Sequence, residues 1–278
     1  MKRVAIHGVP RSGTTWVGAL FDSCPVVRYA NQPLFSYAFK DRLNLTSSGN
    51  DIKQFFDDLA SSTDQFIDQS LQKQKGAIPI FSKGKVEAIC YKEARYHHLI
   101  PHLLSADPEL VLFLIIRNPL SVMASWVTAP KEFDHASMNL SEEWRKADKK
   151  NGNRPEEWYG YDKWKEFAVM ANKLTLLYPD RCRIIEYNEL LVHTEEVIMS
   201  CFEFCGIPYG AQTSSFINES RTKDMTVDAY SVFRVKQDDS KWKSILPAEI
   251  IRTIEQELHG TELSRYLNEG GSEVAKGS

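Results

Sequence analysis

The sequence predicts an α/β protein: a central parallel sheet with helices on both faces, opened by a P-loop-type strand–loop–helix. Three observations carry this expectation. Short apolar runs at Val4 to His7, Val86 to Tyr91, Leu110 to Ile116 and Arg183 to Tyr187 alternate with stretches of helical period. The run Leu110 to Ile116 (LVLFLII) is continuously apolar, as a strand buried on both faces must be. The first strand also leads at once into a glycine-bounded turn, Gly8 to Gly13, and then a helix from Thr14. That succession holds anions, because loop N–H groups converge on the ligand and the positive end of the helix dipole faces it.

Taken in order, the first strand and helix are followed by a mixed stretch, 30–80. Within it Asp51 to Ala60 and Gln65 to Gln74 read as surface helices, with apolar residues three and four apart. The second strand, Val86 to Tyr91, ends at Lys92-Glu93, and Tyr96 to Leu104 reads as helical. Pro119 suits a first helical turn after Arg117 and Asn118. A charged, aromatic excursion then runs from Thr128 to Tyr161, ahead of a long helix to Leu177. Arg183 to Tyr187 returns as a strand, and Glu195 to Cys205 and Pro247 to Leu258 are amphipathic helices. Residues 221–243 carry little periodicity. Without repeats or a low-complexity linker, 1–269 reads as one domain and 270–278 as a disordered tail. Right-handed crossovers place the loops after Ile6, Tyr91, Ile116 and Ile185 at one sheet edge.

The first loop narrows the chemistry. Gly8-x4-Gly13 matches the nucleotide P-loop, but Thr14 and Thr15 follow where a Walker loop has Lys and then Ser or Thr. The loop's cation is Arg11, which argues against an ordinary ATPase. The run Pro10-Arg11-Ser12-Gly13-Thr14-Thr15-Trp16 resembles the 5′-phosphosulfate loop of the sulfotransferases that use 3′-phosphoadenylyl sulfate (PAPS). The resemblance implies a parallel-sheet fold and transfer of a sulfuryl group to a hydroxyl or amine. It also implies a second motif, a strand-end Arg with a Ser eight positions on, binding the 3′-phosphate. Arg117 and Ser125 meet it, and Ser121 shares the helical face of Ser125. A permanently charged guanidinium suits a phosphate dianion.

Further likenesses are Glu186-Tyr187-Asn188-Glu189-Leu190, similar to a strand-end pattern whose tyrosine lies near the adenine, and Ser240 to Leu246 (SKWKSIL), similar to a late Trp-Lys-x-x-Leu segment. Asn188 departs from that first pattern, where the family has an acidic residue. Tyr230 to Lys236 would supply an aromatic and basic lid. Trp16 matches a residue that stacks on adenine; packing of the first helix is its other reading. The resemblance thus gives PAPS as donor, adenosine 3′,5′-bisphosphate (PAP) as product, no required metal, and a cofactor set of Arg11, Ser12, Gly13, Thr14, Thr15, Trp16, Arg117, Ser125 and Tyr187. Arg11 and Lys92 are the candidate catalytic cations.

The general base is less legible. The stretch Gly8 to Leu34 resembles tyrosylprotein sulfotransferases without gaps, yet the glutamate position falls on Gln32, which takes no proton. The small-molecule enzymes instead place a histidine two residues after a lysine, and here Lys92-Glu93-Ala94 lacks it. Glu93 is the first candidate base, with His97 and His98 behind it. His98 and His102 have a zinc-compatible spacing but no third ligand, so they read as a surface or half-buried pair.

Global properties fit. The 278 residues are 42% hydrophobic, and a net charge of −3 gives no general attraction to nucleic acid or anionic membrane. Five cysteines without a C-x-x-C pair, no transmembrane-length run and no signal peptide predict a cytoplasmic protein. The N-x-[ST] triplets at Asn44, Asn139 and Asn218 carry little weight there. Trp126, Trp144, Trp158, Tyr159, Tyr161 and Trp164 either line an acceptor site or anchor a lid. A glycan or glycolipid hydroxyl is the favoured acceptor. The alternatives are a P-loop kinase using ATP and a non-catalytic PAPS-binding relative.

Overall fold

The computed structural model describes residues 1–223, 231–233 and 239–267. The expected tail and residues 230 and 234–236 of the expected lid lie outside them. Five parallel strands form the described sheet: β1 (Lys2–His7), β2 (Val27–Asn31), β3 (Ala88–Glu93), β4 (Leu110–Ile116) and β5 (Cys182–Glu186), in the order β2-β3-β1-β4-β5. Around them lie α1 (Thr14–Asp22), α2 (Gly49–Ser61), α3 (Ser70–Gln74), α4 (Ile100–Ala106), α5 (Pro119–Val127), α6 (Leu140–Lys146) and α7 (Asp148–Asn151). They are followed by α8 (Tyr161–Leu177), α9 (Tyr187–Val192), α10 (Thr194–Cys205), α11 (Ala211–Thr222), α12 (Trp242–Ile245) and α13 (Ala248–Leu258). Among the described residues, no helix is long and apolar enough to cross a membrane.

Strand alternation divides the core into two layers. Ala5, Ile89, Tyr91, Leu112 and Leu114 face the side covered by α2, α4, α5, α8 and α13. Val4, Ile6, Cys90, Phe113 and Ile115 face the side covered by α1, α10 and α11. Both faces are buried, which is why β4 reads as an unbroken apolar run. All five cysteines are buried free thiols.

The sequence misses β2 and α11. Arg28 interrupts β2, a five-residue edge strand, and is held by Asp68 at 2.5 Å. Only Thr213, Phe216, Ile217 and Ser220 of α11 are buried, so its apolar stripe is two residues wide. The expected helix at Gln65 to Gln74 shrinks to α3, because Gln69 takes a left-handed φ of 53°. Tyr187 starts α9 rather than ending β5.

Parallel pairing brings the strand ends together: Ile6 lies opposite Lys92, His7 opposite Glu93, and Asn31 opposite Lys92. The crossovers from β1 run toward β2 on one side and those after β3 toward β4 and β5 on the other. The crevice beside β1 is therefore the switch point at which open α/β sheets bind ligands.

Directly beneath it lies a buried histidine pair. The Nδ1 atoms of His7 and His97 meet at 3.0 Å, and His7 Nε2 lies 3.2 Å from the Tyr91 hydroxyl. One ring must donate and the other accept, so the contact requires at least one neutral ring. Burial pulls His7 down to about 3, and burial with the neighbouring His7 pulls His97 well below its ordinary value. Below the unfolded value near 6.5 the unfolded chain binds protons that the native state refuses, so stability falls as pH drops. Each histidine adds a slope of about 1.4 kcal/mol per pH unit in that window. Urea unfolding at pH 7, 6 and 5 is expected to show this loss, and His7→Gln is expected to flatten the slope. A profile that is level from pH 7 to 5 would contradict it.

Candidate active site

The loop between β1 and α1 takes its shape from two left-handed residues, Arg11 at φ 74° and Gly13 at φ 87°. The N–H of Ser12 returns to Val9 O at 3.1 Å, and Gly13 O accepts from Trp16 N and Val17 N. No side chain of the described residues caps α1 at Gly13, and of its first turn Trp16 N returns to Gly13 O. Gly13 cannot be replaced cheaply: a Cβ there would lie 2.3 Å from Cε2 of Tyr187.

Above the loop is a cavity of about 490 Å³. Arg11, Gly13, Thr14, Thr15 and Trp16 line it from β1–α1, Asn31 and Gln32 from β2, and Lys92 and Arg95 from β3 and beyond. Arg117, Ser125 and Tyr187 close it from the far side. The two motifs are in direct contact. Arg117 Nη1 donates to Arg11 O at 2.8 Å, and Arg11 Nε donates to Ser125 Oγ at 3.1 Å. The Arg117 guanidinium lies 4.8 Å from the centre of the Tyr187 ring, and Cε2 and Cδ2 of that ring lie against Gly13.

Arg117 already holds an anion. Its Nε sits 2.9 and 3.1 Å from the two carboxylate oxygens of Asp239, its Nη2 donates to the same group, and Ser121 Oγ donates to Asp239 O at 2.7 Å. Burial pulls the guanidinium down, and the Asp239 bonds outweigh it, holding the arginine above its ordinary value. Asp239 is a residue that sequence reasoning missed; its one signal was adjacency to Ser240 to Leu246.

The structure places three expected site residues, Ser12, Glu93 and His97, away from the cavity wall. Ser12 is wholly buried, its Oγ has no hydrogen-bond partner among the described residues, and it does not line the cavity. Glu93 is also wholly buried and absent from the lining. Strand alternation sends its side chain away from Lys92, and Oε1 accepts from Leu34 N at 2.7 Å. It thereby fixes the turn after Gln32 and stands clear of the cavity. His97 packs against Trp158 and Phe167 on the core side, and His102 Nε2 contacts Ser47 O at 2.7 Å. Trp16 fits both of its readings. It is 4% exposed and donates to Ser220 Oγ at 3.0 Å, yet one edge lines the cavity.

Lys92 lines the cavity at 2% exposure; burial pulls its pKa down, and Glu93 opposes that. Gln32, at a left-handed φ of 43°, donates its N–H to Lys92 O at 2.7 Å, and both residues line the cavity. Of the excursion's aromatics only Tyr159 reaches the cavity; Trp126, Trp158, Tyr161 and Trp164 are at most 2% exposed and anchor the segment to the core. With them comes Glu132, whose carboxylate lies 3.7 Å from Arg11 Nη1 and which no sequence motif flagged. Among the described residues no group of three His, Cys, Asp or Glu side chains is placed to hold a metal ion.

Comparison with known proteins agrees with this geometry. The model of the Sulfotransferase family matches residues 3–211. The chain belongs to the sulfotransferase family. Protein-tyrosine sulfotransferase 1 of Danio rerio is 22% identical over 264 residues, covering 91% of this chain and 68% of that protein. Protein-tyrosine sulfotransferase 2 of Gallus gallus is 24% identical over 213 residues, covering 75% of this chain and 52% of that one. The mouse sulfotransferase SULT7A1, solved with PAP, shares the fold with a TM-score of 0.55 at 12% identity, covering 96% of this chain and 88% of that one. The sulfotransferase domain of the curacin biosynthetic pathway has a TM-score of 0.52 at 17% identity, covering 92% and 96%. The sulfotransferase fold and the parallel sheet are therefore as expected.

The Gly13–Tyr187 contact gives a test of how tightly the loop is built. Gly13→Ala is expected to cost about 1–2 kcal/mol for the left-handed φ alone, with more for the clash. In a double-mutant cycle, Tyr187→Ala is expected to relieve the clash portion and leave the φ cost. Strict additivity in chemical unfolding would show that the ring does not rest on Gly13.

Proposed function

We propose that the protein transfers a sulfuryl group from PAPS to a hydroxyl acceptor, releasing PAP. The observation that carries this reading is the direct coupling of two anion-binding motifs, Arg11 with the uncapped α1 terminus and Arg117 with Ser125, across one cavity. The carboxylate of Asp239 on Arg117 supports the fit, since a guanidinium that accepts a two-oxygen anion in this fork also accepts a phosphate.

In this reading the loop amides, Arg11, Thr14 and Thr15 hold the 5′-phosphosulfate, Arg117 and Ser125 the 3′-phosphate, and Trp16 and Tyr187 the adenine side. The donor supplies an activated sulfur whose bond to the phosphate oxygen breaks as the acceptor oxygen bonds to it. Arg11 and Lys92 offset charge on the departing phosphate. The acceptor's proton has to reach a base, and Gln32 is not one. Phe35 and Phe66, both partly exposed at the cavity mouth with ring centres 6.1 Å apart, leave the Phe66 ring and the side of Phe35 away from the Arg95 guanidinium as apolar surface against which a glycan or glycolipid would lie. That class of hydroxyl is the acceptor we favour.

Calorimetric titration with PAP and with ATP–Mg²⁺ tests the donor class. Tight PAP binding with weak ATP binding is expected, and Arg117→Ala is expected to weaken PAP by about 10–150-fold, the range of one or two charge-assisted hydrogen bonds. Asp239→Asn removes the competing carboxylate and is expected to tighten PAP several-fold. Preference for ATP, or indifference to Arg117, would favour the kinase instead.

Lys92 adds a protonic signature. Its pKa is depressed by burial, and an arriving dianion raises it again, so PAP binding takes up protons at mildly alkaline pH. Titrations in buffers of different ionisation enthalpy are expected to show that uptake in wild type and not in Lys92→Met. Equal uptake in both would remove Lys92 from the donor site.

A further inference from the structure

The cavity lacks a base where the tyrosylprotein enzymes would place one, and the structure supplies a carboxylate from elsewhere. We propose that Glu132 is the general base of this sulfotransferase, entering from the excursion after α5 to take the acceptor's proton. The inference rests on the sulfuryl-transfer reading above.

Four observations support it. Glu132 is the one carboxylate among the described cavity-lining residues. Its Oε1 stands 3.7 Å from Arg11 Nη1, beside the cation that faces the reacting end of the donor. Its Oε2 is buried and has no hydrogen-bond partner among the described residues, and the side chain as a whole is 18% exposed, so the carboxylate is not saturated by protein donors. Its backbone is fixed: Trp126 Nε1 donates to Glu132 O at 3.3 Å, Glu132 N donates to Ala129 O, and the adjacent Phe133 is wholly buried against Trp126. A base must be held within hydrogen-bond reach of the proton it takes, and a loop anchored by two buried aromatics does that.

The groups that feel this carboxylate are Arg11 from the first loop, Lys92 from β3, and Lys150 and Tyr159 from the excursion, with Arg95 and Lys131 also lining the cavity. Arg95 is committed to Glu157 at 3.0 Å. In the step, the acceptor O–H bond breaks toward the Glu132 carboxylate, the O–S bond forms, and the S–O bond to the phosphate breaks, leaving PAP and a protonated Glu132. The proton then passes to solvent.

The test separates the two readings. PAP is titrated calorimetrically into wild type and Glu132→Gln, and PAP release from PAPS is followed with water as acceptor, from pH 5 to 9. Wild type that fails to bind PAP would remove the donor reading, whatever Glu132 does. The expected result is that Glu132→Gln binds PAP at least as tightly as wild type, because the carboxylate no longer competes for Arg11. Its turnover is expected to fall about 10²-fold or more, as loss of a general base does, with the acid limb gone from the pH profile. Formate added to Glu132→Ala is expected to restore part of the rate. Turnover of Glu132→Gln within twofold of wild type, an unchanged acid limb, weakened PAP binding, or a wild type that binds PAP and releases none from PAPS would each overturn the inference.

Discussion

A guanidinium at the end of an apolar strand is the constraint on which the site is built. Arg117 follows seven residues of β4 that are almost wholly buried, and its own side chain is only 17% exposed. An unpaired charge at that depth costs several kcal/mol, so an anion must meet it. Its backbone is pinned by Trp164 Nε1, which donates to Arg117 O at 2.9 Å. Its side chain then fixes three other parts: the carbonyl of Arg11, the ring of Tyr187 and the carboxylate of Asp239. The first loop, the start of α9 and the segment before α12 therefore converge because one buried charge requires partners from each.

Much of this was legible in the chain. The loop from Gly8 to Gly13 could be read because left-handed φ and close packing demand glycine, and β4 because a strand covered on both faces admits no polar residue. Tyr161–Leu177 and Leu110–Ile116 have the boundaries their patterns suggested. Partners separated by long stretches of chain were not legible. Asp239 meets Arg117 across 122 residues and Glu132 meets Arg11 across 121, and no local period encodes either pairing. Glu93 misled for a related reason. Adjacency to Lys92 in sequence places the two side chains on opposite faces of β3, so one enters the cavity and the other braces the turn behind it.

Net charge was a poor guide as well. The chain carries a formal −3, yet Arg11, Lys92, Arg95, Arg117, Lys131 and Lys150 line the cavity against Glu132 as the one carboxylate among the described residues. The acidic excess is spent on outward faces such as α2 and α10. A concave site of one sign with low-dielectric walls focuses its field on the ligand, so a mildly acidic protein can still attract a polyanionic nucleotide.

Gln32 shows how the fold accommodates a missing carboxylate. It sits in a left-handed conformation that a non-glycine residue adopts only when the surroundings impose it, and here Glu93 and the Lys92 carbonyl impose it. A glutamate at that position would add a second negative charge to a space that Glu132 already shares. Two carboxylates facing one acceptor would raise each other's proton affinity, and one would enter the reaction already protonated. The amide instead keeps a donor and an acceptor beside Lys92 without charge. It can orient the hydroxyl while the excursion, held by Trp126, Trp158 and Tyr161, brings the base from the other side. Substitution at one wall of the cavity and anchoring of the opposite wall are then two halves of one arrangement.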